Sequence, residues 1–444
     1  MPWLDLLLAL ATVPSLACAL VFATECLIAV CAGGECHLPL ARARPPVAVL
    51  VPARDEAETI AATVGDLVGQ LREGDRLLVV ADNCTDETAE LARRAGAEVV
   101  ERTDPEKEGK AHALAFGREV LGALPPRVVI VLDADGRAPT DLVGTLARHV
   151  EATGRTVQAE FTSAAGAGGG VRALSVLAIL VKNRVRPAAL RTLGVPCLLN
   201  GSGMAFPWSV FEGLDLGGAG MVEDMRLAVD LALCDEGAVL CDHVRLRSTP
   251  PAERAGLLDQ RRRWEHGHLD TLVHQVPRLL AAGMFDLRPR LLWFAAHLAV
   301  PPLAMLAGLL VICCALALPG PWLWGGSPWP GVAALSGLAL LTLGTLVAWA
   351  RFGRGLVSFT ALLATPAYVL WKLPLYLAFL ARGPSEAWSA PRPASAAPRA
   401  APGAPGDTPP AERPVSLPEP PAPLPSQEVE RDLPASRPLG ERDA

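Results

Sequence analysis

The sequence predicts an α/β domain built on a mostly parallel sheet and flanked by transmembrane helices. Short Val/Leu/Ile runs alternate with helix-like stretches between residues 47 and 132, the pattern of strands buried on both faces. Apolar runs long enough to cross a bilayer, about 20 residues, lie on both sides of that region. Apolar residues make up 51% of the 444, charged residues 19%, and mean hydropathy is +0.32, too apolar for one ordinary soluble domain.

The first apolar run, Leu6–Ala32, is interrupted only by Thr, Ser and Glu25. It is longer than a signal core and is preceded by Asp5 rather than Lys or Arg, so a retained anchor over residues 1–40 is expected. Further runs follow at Leu291–Leu318, Val332–Ala350 and Leu356–Leu380, the last carrying Pro366, Lys372 and Pro374. Residues 291–383 are therefore expected to be membrane helices, the last run being open to a full span, a kink or a partly interfacial position. Arg42, Arg44, Arg278, Arg288, Arg290, Arg351 and Arg354 flank the runs on one side, and Trp322, Trp324 and Trp329 fall at the other. By the positive-inside rule residues 41–290 are a cytoplasmic domain of a multi-pass inner or plasma membrane protein. The tail, 384–444, holds 16 of the 41 prolines and few large apolar residues. It is expected to be disordered.

A net charge of −6 argues against a strongly basic nucleic-acid surface. The ten cysteines form no CxxC pair, so structural zinc and a disulfide scaffold are not expected and small buried side chains are.

Within the soluble region, strands are expected at Val47–Pro52, Arg76–Ala81, Ala97–Val100 and Arg127–Leu132, with helices at Glu56–Leu71, Asp86–Ala95 and Lys110–Leu121. Ligands of such sheets bind beyond the carboxyl ends of the strands. That rim holds three acidic loops: Pro52-Ala53-Arg54-Asp55-Glu56, Asp82-Asn83-Cys84-Thr85-Asp86 and Asp133-Ala134-Asp135-Gly136. Asp86 is as suited to a helix cap as to a ligand, whereas Asp82 is placed to accept from a nucleobase or ribose. Asp133 and Asp135, one residue apart at a strand end, suit a hard divalent cation such as Mg²⁺ or Mn²⁺. Lys110, before a helix, is either a surface lysine or a phosphate contact. Glu223-Asp224 offers two helix-start charges or a general base. Gln260-Arg261-Arg262-Arg263-Trp264 reads as a juxtamembrane basic patch, or as Arg263 on a diphosphate with Trp264 stacking on a sugar. His266 and His268 read as polar surface residues before metal ligands, and Leu174–Val181 has helical periodicity that suits a core helix or a membrane face equally.

Taken in order, Pro52–Glu56, Asp82, Lys110, Asp133-Ala134-Asp135, Glu223-Asp224 and Gln260-x-x-Arg263-Trp264 resemble the membrane-anchored glycosyltransferases of family 2, in the branch with cellulose, hyaluronan and poly-N-acetylglucosamine synthases. The resemblance covers about residues 45–275. It implies a GT-A fold and an inverting transfer of a sugar from a nucleotide-sugar donor to a lipid-linked or glycan acceptor. It makes Asp82 a uracil and ribose contact, with Pro52, Arg54 and Glu56 lining the same pocket and Lys110 in the nucleotide site. Asp133 and Asp135 become the DxD pair, Asp135 the more direct metal ligand, and Asp224 the base beside Glu223. Gln260, Arg263 and Trp264 match the motif that closes over diphosphate and acceptor, and Gly201 lies in a small-residue acceptor loop, Asn200–Gly203. Large polymer synthases have more membrane helices than this chain. Two other readings compete: a nucleotidylyltransferase, which wants a Gly-rich loop after the first strand, and a non-catalytic membrane component of a polysaccharide-synthesis complex, which does not need the carboxylates that are present.

Overall fold

The first apolar run forms one helix, α1 (Pro2–Cys31). In the computed structural model, which describes residues 2–33, 39–163, 170–216, 223–248 and 254–382, the α/β domain comes next. Strand β1 (Val47–Ala53) leads to α2 (Ile60–Val68), β2 (Arg76–Asp82) to α3 (Thr88–Arg94), and β3 (Glu98–Arg102) to α4 (Lys110–Gly122). Strand β4 (Val128–Val131) passes through the short β5 (Gly136–Arg137) to α5 (Leu142–Thr153). The helices begin later than the apolar pattern suggests, at Ile60 rather than Glu56 and at Thr88 rather than Asp86. Glu56 and Asp86 instead tie the two rim loops together: the Glu56 N–H donates to Thr88 Oγ1 and the Ala57 N–H to Asp86 Oδ2.

The second half contains β6 (Val157–Ser163), α6 (Gly170–Leu180), a π-helical turn at Val181–Val185, α7 (Arg186–Thr192), β7 (Met204–Pro207), α8 (Trp208–Glu212), α9 (Glu223–Leu233) and β8 (Val239–Ser248). The eight strands make one sheet in the order β3-β2-β1-β4-β7-β6-β8-β5. Strands β3, β2, β1 and β4 run parallel, as expected, and β6 runs parallel to β8. Strand β7 is antiparallel to both neighbours, and β5 to β8, so the second half makes the sheet mixed. Val47 to Val51 are all buried, which is why β1 reads as a continuous apolar run. Helix α4 lies close on the sheet because Gly117 leaves room; a Cβ there would come within 2.5 Å of Leu50 Cδ1. Leu174, Leu177, Leu180 and Val181 are buried, so one face of α6 packs into the protein, Leu174 against α12 and α16.

Beyond the sheet run α10 (Arg254–Phe285), α11 (Pro289–Ala299), α12 (Leu303–Ala317), α13 (Gly320–Leu323), α14 (Trp329–Ala348), α15 (Phe359–Leu362) and α16 (Thr365–Arg382). Among the described residues three helices are long and apolar enough to cross a membrane: Trp3–Cys31, Leu303–Leu323 and Trp329–Gly353. One sequence expectation needs correction, and one left open is narrowed. The run Leu291–Leu318 is not one helix, because Pro301-Pro302 lacks amide donors and separates α11 from α12. The run Leu356–Leu380 is not a span of that kind. It divides into α15 and α16, and α16 carries a buried Lys372 in an ion pair with Glu265 of α10.

Glu25, the acid inside α1, is fully buried and paired. Its carboxylate accepts from Arg186 Nε of α7 at 2.6 Å and lies 2.8 Å from His297 Nδ1 of α11. Arg186 also donates to the His297 carbonyl at 2.8 Å. A buried acid is tolerated when so paired, and this one ties α1 to α7 and α11. The tail expected at 384–444 lies outside the described residues.

Candidate active site

Strands β2, β1 and β4 are neighbours, so their carboxyl-terminal loops share one rim. Asp55 and Asn83 adopt left-handed backbone there (φ 50° and 52°), a region Asp and Asn tolerate better than most residues. Asp55 Oδ1 accepts the Thr85 N–H at 2.7 Å. Asp86 Oδ1 accepts the Thr88 N–H at 3.0 Å just ahead of α3, whose N-cap residue is Glu87.

Asp82 ends β2 and is 1% exposed. Its Oδ1 accepts from Arg102 at 2.6 Å, because β3 pairs in register with Asp82 opposite Arg102. Its Oδ2 is buried and has no hydrogen-bond partner, a state natural sites seldom leave unfilled. Pro52 and Arg54 flank the same loop. Arg54 forms a two-pronged pair with Glu108 at 2.9 and 3.1 Å. The Glu56 carboxylate accepts from Thr59 Oγ1 at 2.8 Å, which turns it toward the start of α2.

The densest convergence lies around the Asn200–Gly203 loop. Lys110, first residue of α4, binds Asp133 Oδ1 and donates to the Gly201 carbonyl at 2.6 Å. Its ammonium thus joins the first aspartate of the DxD pair to the small-residue loop, a finer role than a surface lysine. Ser202 Oγ accepts the Asp133 N–H at 2.9 Å, and Gln158 binds the loop through Asn200 N and the Ser202 carbonyl. Gly201 has φ +77°, and a Cβ built on it would sit 3.2 Å from both Asp224 Oδ2 and Lys110 Nζ. The candidate base, Lys110 and Gly201 therefore meet at one point, with Asp133 held to it by Lys110. Asp224 stands at the head of α9, its Oδ1 accepting the Met225 N–H at 2.9 Å. Burial pushes its carboxyl above the ordinary range, and the Lys110 and Lys182 ammonium groups pull it back without cancelling the effect. A carboxylate so tuned is a stronger base.

Asp135 is half-buried in the same loop as Asp133. Two carboxylates one residue apart, one of them already drawing an ammonium ion, form an oxygen donor set that fits a hard divalent cation. Glu223 belongs to α9 and Gln260 and Arg263 to α10, but their side chains lie outside the described residues. Trp264, 38% exposed, is available for stacking. His266 and His268 are not surface residues as expected: both are buried under the packing of α10, and His268 Nε2 lies 3.1 Å from the Val300 carbonyl. Neither is in the metal-ligating groups found among the described residues.

Arg102 and Gln158 escaped the sequence reading, and Ser202 entered it only as a member of the Asn200–Gly203 loop. Arg102 and Ser202 could have been suspected only with the strand order in hand, since each acts across the sheet on a residue far away in the chain.

Comparison with known proteins agrees with this layout. The sequence model described as "Glycosyltransferase like family 2" matches residues 45–267. Uncharacterized glycosyltransferases of Mycobacterium tuberculosis (strain H37Rv) and Mycobacterium bovis are each 39% identical over 90 residues, 20% of this chain and 37% of theirs. The matched stretch thus spans little more than a third of those relatives. Among solved structures, the mannosyltransferase PcManGT from Pyrobaculum calidifontis, in complex with GDP-Man and Mn²⁺, superposes with a TM-score of 0.52 at 20% identity, covering 83% of this chain and 99% of that one. Glucosyl-3-phosphoglycerate synthase of M. tuberculosis gives a TM-score of 0.34 at 23% identity, over 49% and 75% of the two chains. The sheet is the GT-A-like α/β sheet of such enzymes, and with the family match covering half of its length, this chain belongs to glycosyltransferase family 2.

Proposed function

We propose that this protein is an inverting, divalent-cation-dependent hexosyltransferase. It moves a sugar from a nucleotide-sugar, a UDP-sugar being the expected donor, to a lipid-linked or polysaccharide acceptor at the cytoplasmic face of the cell membrane. Residues 41–290 form the catalytic domain, with α1 and the helices after residue 290 holding it to the bilayer. The observation that carries the reading is the meeting of Asp224, Lys110 and Gly201, with Asp133 drawn in by Lys110.

In this reading the buried, unpaired Asp82 Oδ2 accepts an N–H of the nucleobase, and the Arg102 hydrogen bond to Oδ1 aims that carboxylate. Uracil and guanine both present such a donor. Asp133 and Asp135 would hold the cation, which supplies positive charge against the diphosphate. Lys110 adds an ammonium group at the same place and fixes the loop that the acceptor approaches. Asp224 takes the proton of the acceptor hydroxyl. The oxygen attacks the anomeric carbon as its bond to the diphosphate breaks, and the electron pair leaves with the nucleotide. Arg263 meets the departing diphosphate, Gln260 and Trp264 the acceptor, and Glu223 supports Asp224. Preorganised charge at the leaving group is the largest expected source of rate.

Calorimetry and turnover on Asp224→Asn test the assignment. A base acts only in the chemical step, so donor binding should stay within about twofold of wild type while transfer falls by at least about 100-fold. Parallel loss of binding and turnover, or retained transfer, overturns the role.

A further inference from the structure

Away from that rim, on the opposite half of the sheet, His149, Cys241 and His243 bring one ligand atom each to within 4.8 Å of one another. From this we propose a second metal site, of mixed nitrogen and sulfur donors and of a kind that takes Zn²⁺. His149 is buried on α5 and Cys241 is buried on β8, whereas His243 is exposed.

Three features separate this group from a chance cluster. The Pro39 carbonyl lies 2.8 Å from His149 Nδ1. A carbonyl can only accept, so Nδ1 carries the hydrogen and Nε2 of the neutral ring presents a lone pair. This is the backbone support that ligating histidines commonly receive. His149 Nε2 then faces His243 Nδ1 at 3.1 Å, with the two rings within 3° of parallel. Finally, the β6–β8 register jumps from Ala159 opposite Cys241 to Glu160 opposite Arg245. Residues 242–244 are extra on β8, and that bulge carries His243 back toward His149. Bulges re-aim side chains in this way beside functional sites.

Tetrahedral Zn²⁺ with bonds of about 2.0–2.3 Å sets its nitrogen and sulfur ligands about 3.3–3.6 Å apart. The two nitrogens, 3.1 Å apart, are already close to that spacing, and the Cys241 sulfur lies within 4.8 Å of a ring nitrogen of each histidine. His243 also lines a cleft of ≈ 530 Å³ that includes Arg137 and Arg247, so the group is open to solvent on that side. That cleft supplies an approach path and room for a water ligand. These donors are softer than the carboxylates of the DxD pair, so the two sites select different metals. A metal here would pin the segment at Pro39, just outside the anchor, to α5 and β8.

The test uses the full-length protein in detergent, without a polyhistidine tag, stripped with EDTA and titrated with Co²⁺ and then Zn²⁺. Wild type should take one Co²⁺ with a thiolate charge-transfer absorption that one equivalent of Zn²⁺ abolishes. Cys241→Ser should lose the absorption, and the surface variant His243→Asn should weaken Zn²⁺ binding at least about tenfold. Asp135→Ala and Cys84→Ser, which alter carboxylate-rich loops elsewhere, should keep it. Absence of the absorption in wild type, its survival in Cys241→Ser, or unchanged Zn²⁺ affinity in His243→Asn would each overturn the site and leave a hydrogen-bonded histidine pair only.

Discussion

Gly201→Ala probes the catalytic convergence with one methyl group. The residue sits at φ +77°, where a side chain costs about 1–2 kcal/mol. The added Cβ would lie 3.2 Å from both Asp224 Oδ2 and Lys110 Nζ, so both groups must yield by a few tenths of an ångström. Lys110 is flexible, but it also holds Asp133 and the Gly201 carbonyl, and Asp224 is fixed by its helix. A misplacement of about 1 Å costs about 100-fold in rate, so a shift of this size should cost about tenfold, or about 1.4 kcal/mol of barrier. The assay is nucleotide release with the best donor, alongside thermal unfolding in detergent. Gly154→Ala is the control: φ is +64° and nothing lies within 4 Å of its Cβ. Both variants should lose about 1–2 kcal/mol of stability, and only Gly201→Ala should lose turnover. Wild-type turnover in Gly201→Ala, or equal losses of turnover in both, would refute the placement of Asp224 and Lys110.

The remaining predictions concern binding, pH and the anchor. Asp82→Asn should weaken nucleoside diphosphate binding by about 1.5–3 kcal/mol, about 10- to 150-fold by calorimetry, because a charged acceptor is replaced where the nucleobase N–H arrives; unchanged affinity would remove Asp82 from the donor site. Burial holds the Asp224 carboxyl above its ordinary range, and the base must be ionised, so activity should be lost as pH falls through that raised value. The acid limb of kcat against pH should lie above the usual carboxyl value of about 4. Lys110→Met, by removing a group that lowers it, should move the limb higher still; a limb at or below about 4 contradicts this. Arg186→Leu should destabilise the protein by about 3–5 kcal/mol, since it strands the buried Glu25 carboxylate. Adding Glu25→Leu should restore much of the loss in thermal unfolding, and an equally unstable double variant counts against the buried pair.

The first half of the domain was legible because its strands are buried on both faces and its helices are punctuated by Gly and polar loops. Val128-Val129-Ile130-Val131 admits little but a central strand, and Asp133 follows it onto the rim. The second half was not, because β6, β7 and β8 pair across long insertions, and no local pattern tells β7 to run antiparallel to β4. The chemistry divided by residue type rather than by half of the domain. Asp82, Asp133, Asp135 and Asp224 stood out as carboxylates at expected places. Their partners Arg102 and Ser202 did not, since pairing across strands is set by register rather than by spacing. The membrane runs were legible as apolar length, yet Pro301-Pro302 and the buried Lys372 changed two of them. An apolar run marks where a helix avoids water, not whether lipid or protein surrounds it.

The central claim is that this family 2 protein turns over a nucleotide-sugar at Asp224 with help from a divalent cation. The most direct measurement is nucleotide release by the purified, detergent-solubilised protein from a panel of UDP- and GDP-sugars, with and without Mn²⁺ or Mg²⁺, in wild type and Asp224→Asn. The account predicts release from one donor that requires the cation, is lost in Asp135→Ala, and is lost in Asp224→Asn while that variant still binds the donor. Release that ignores the cation, or that persists in Asp224→Asn, would contradict it.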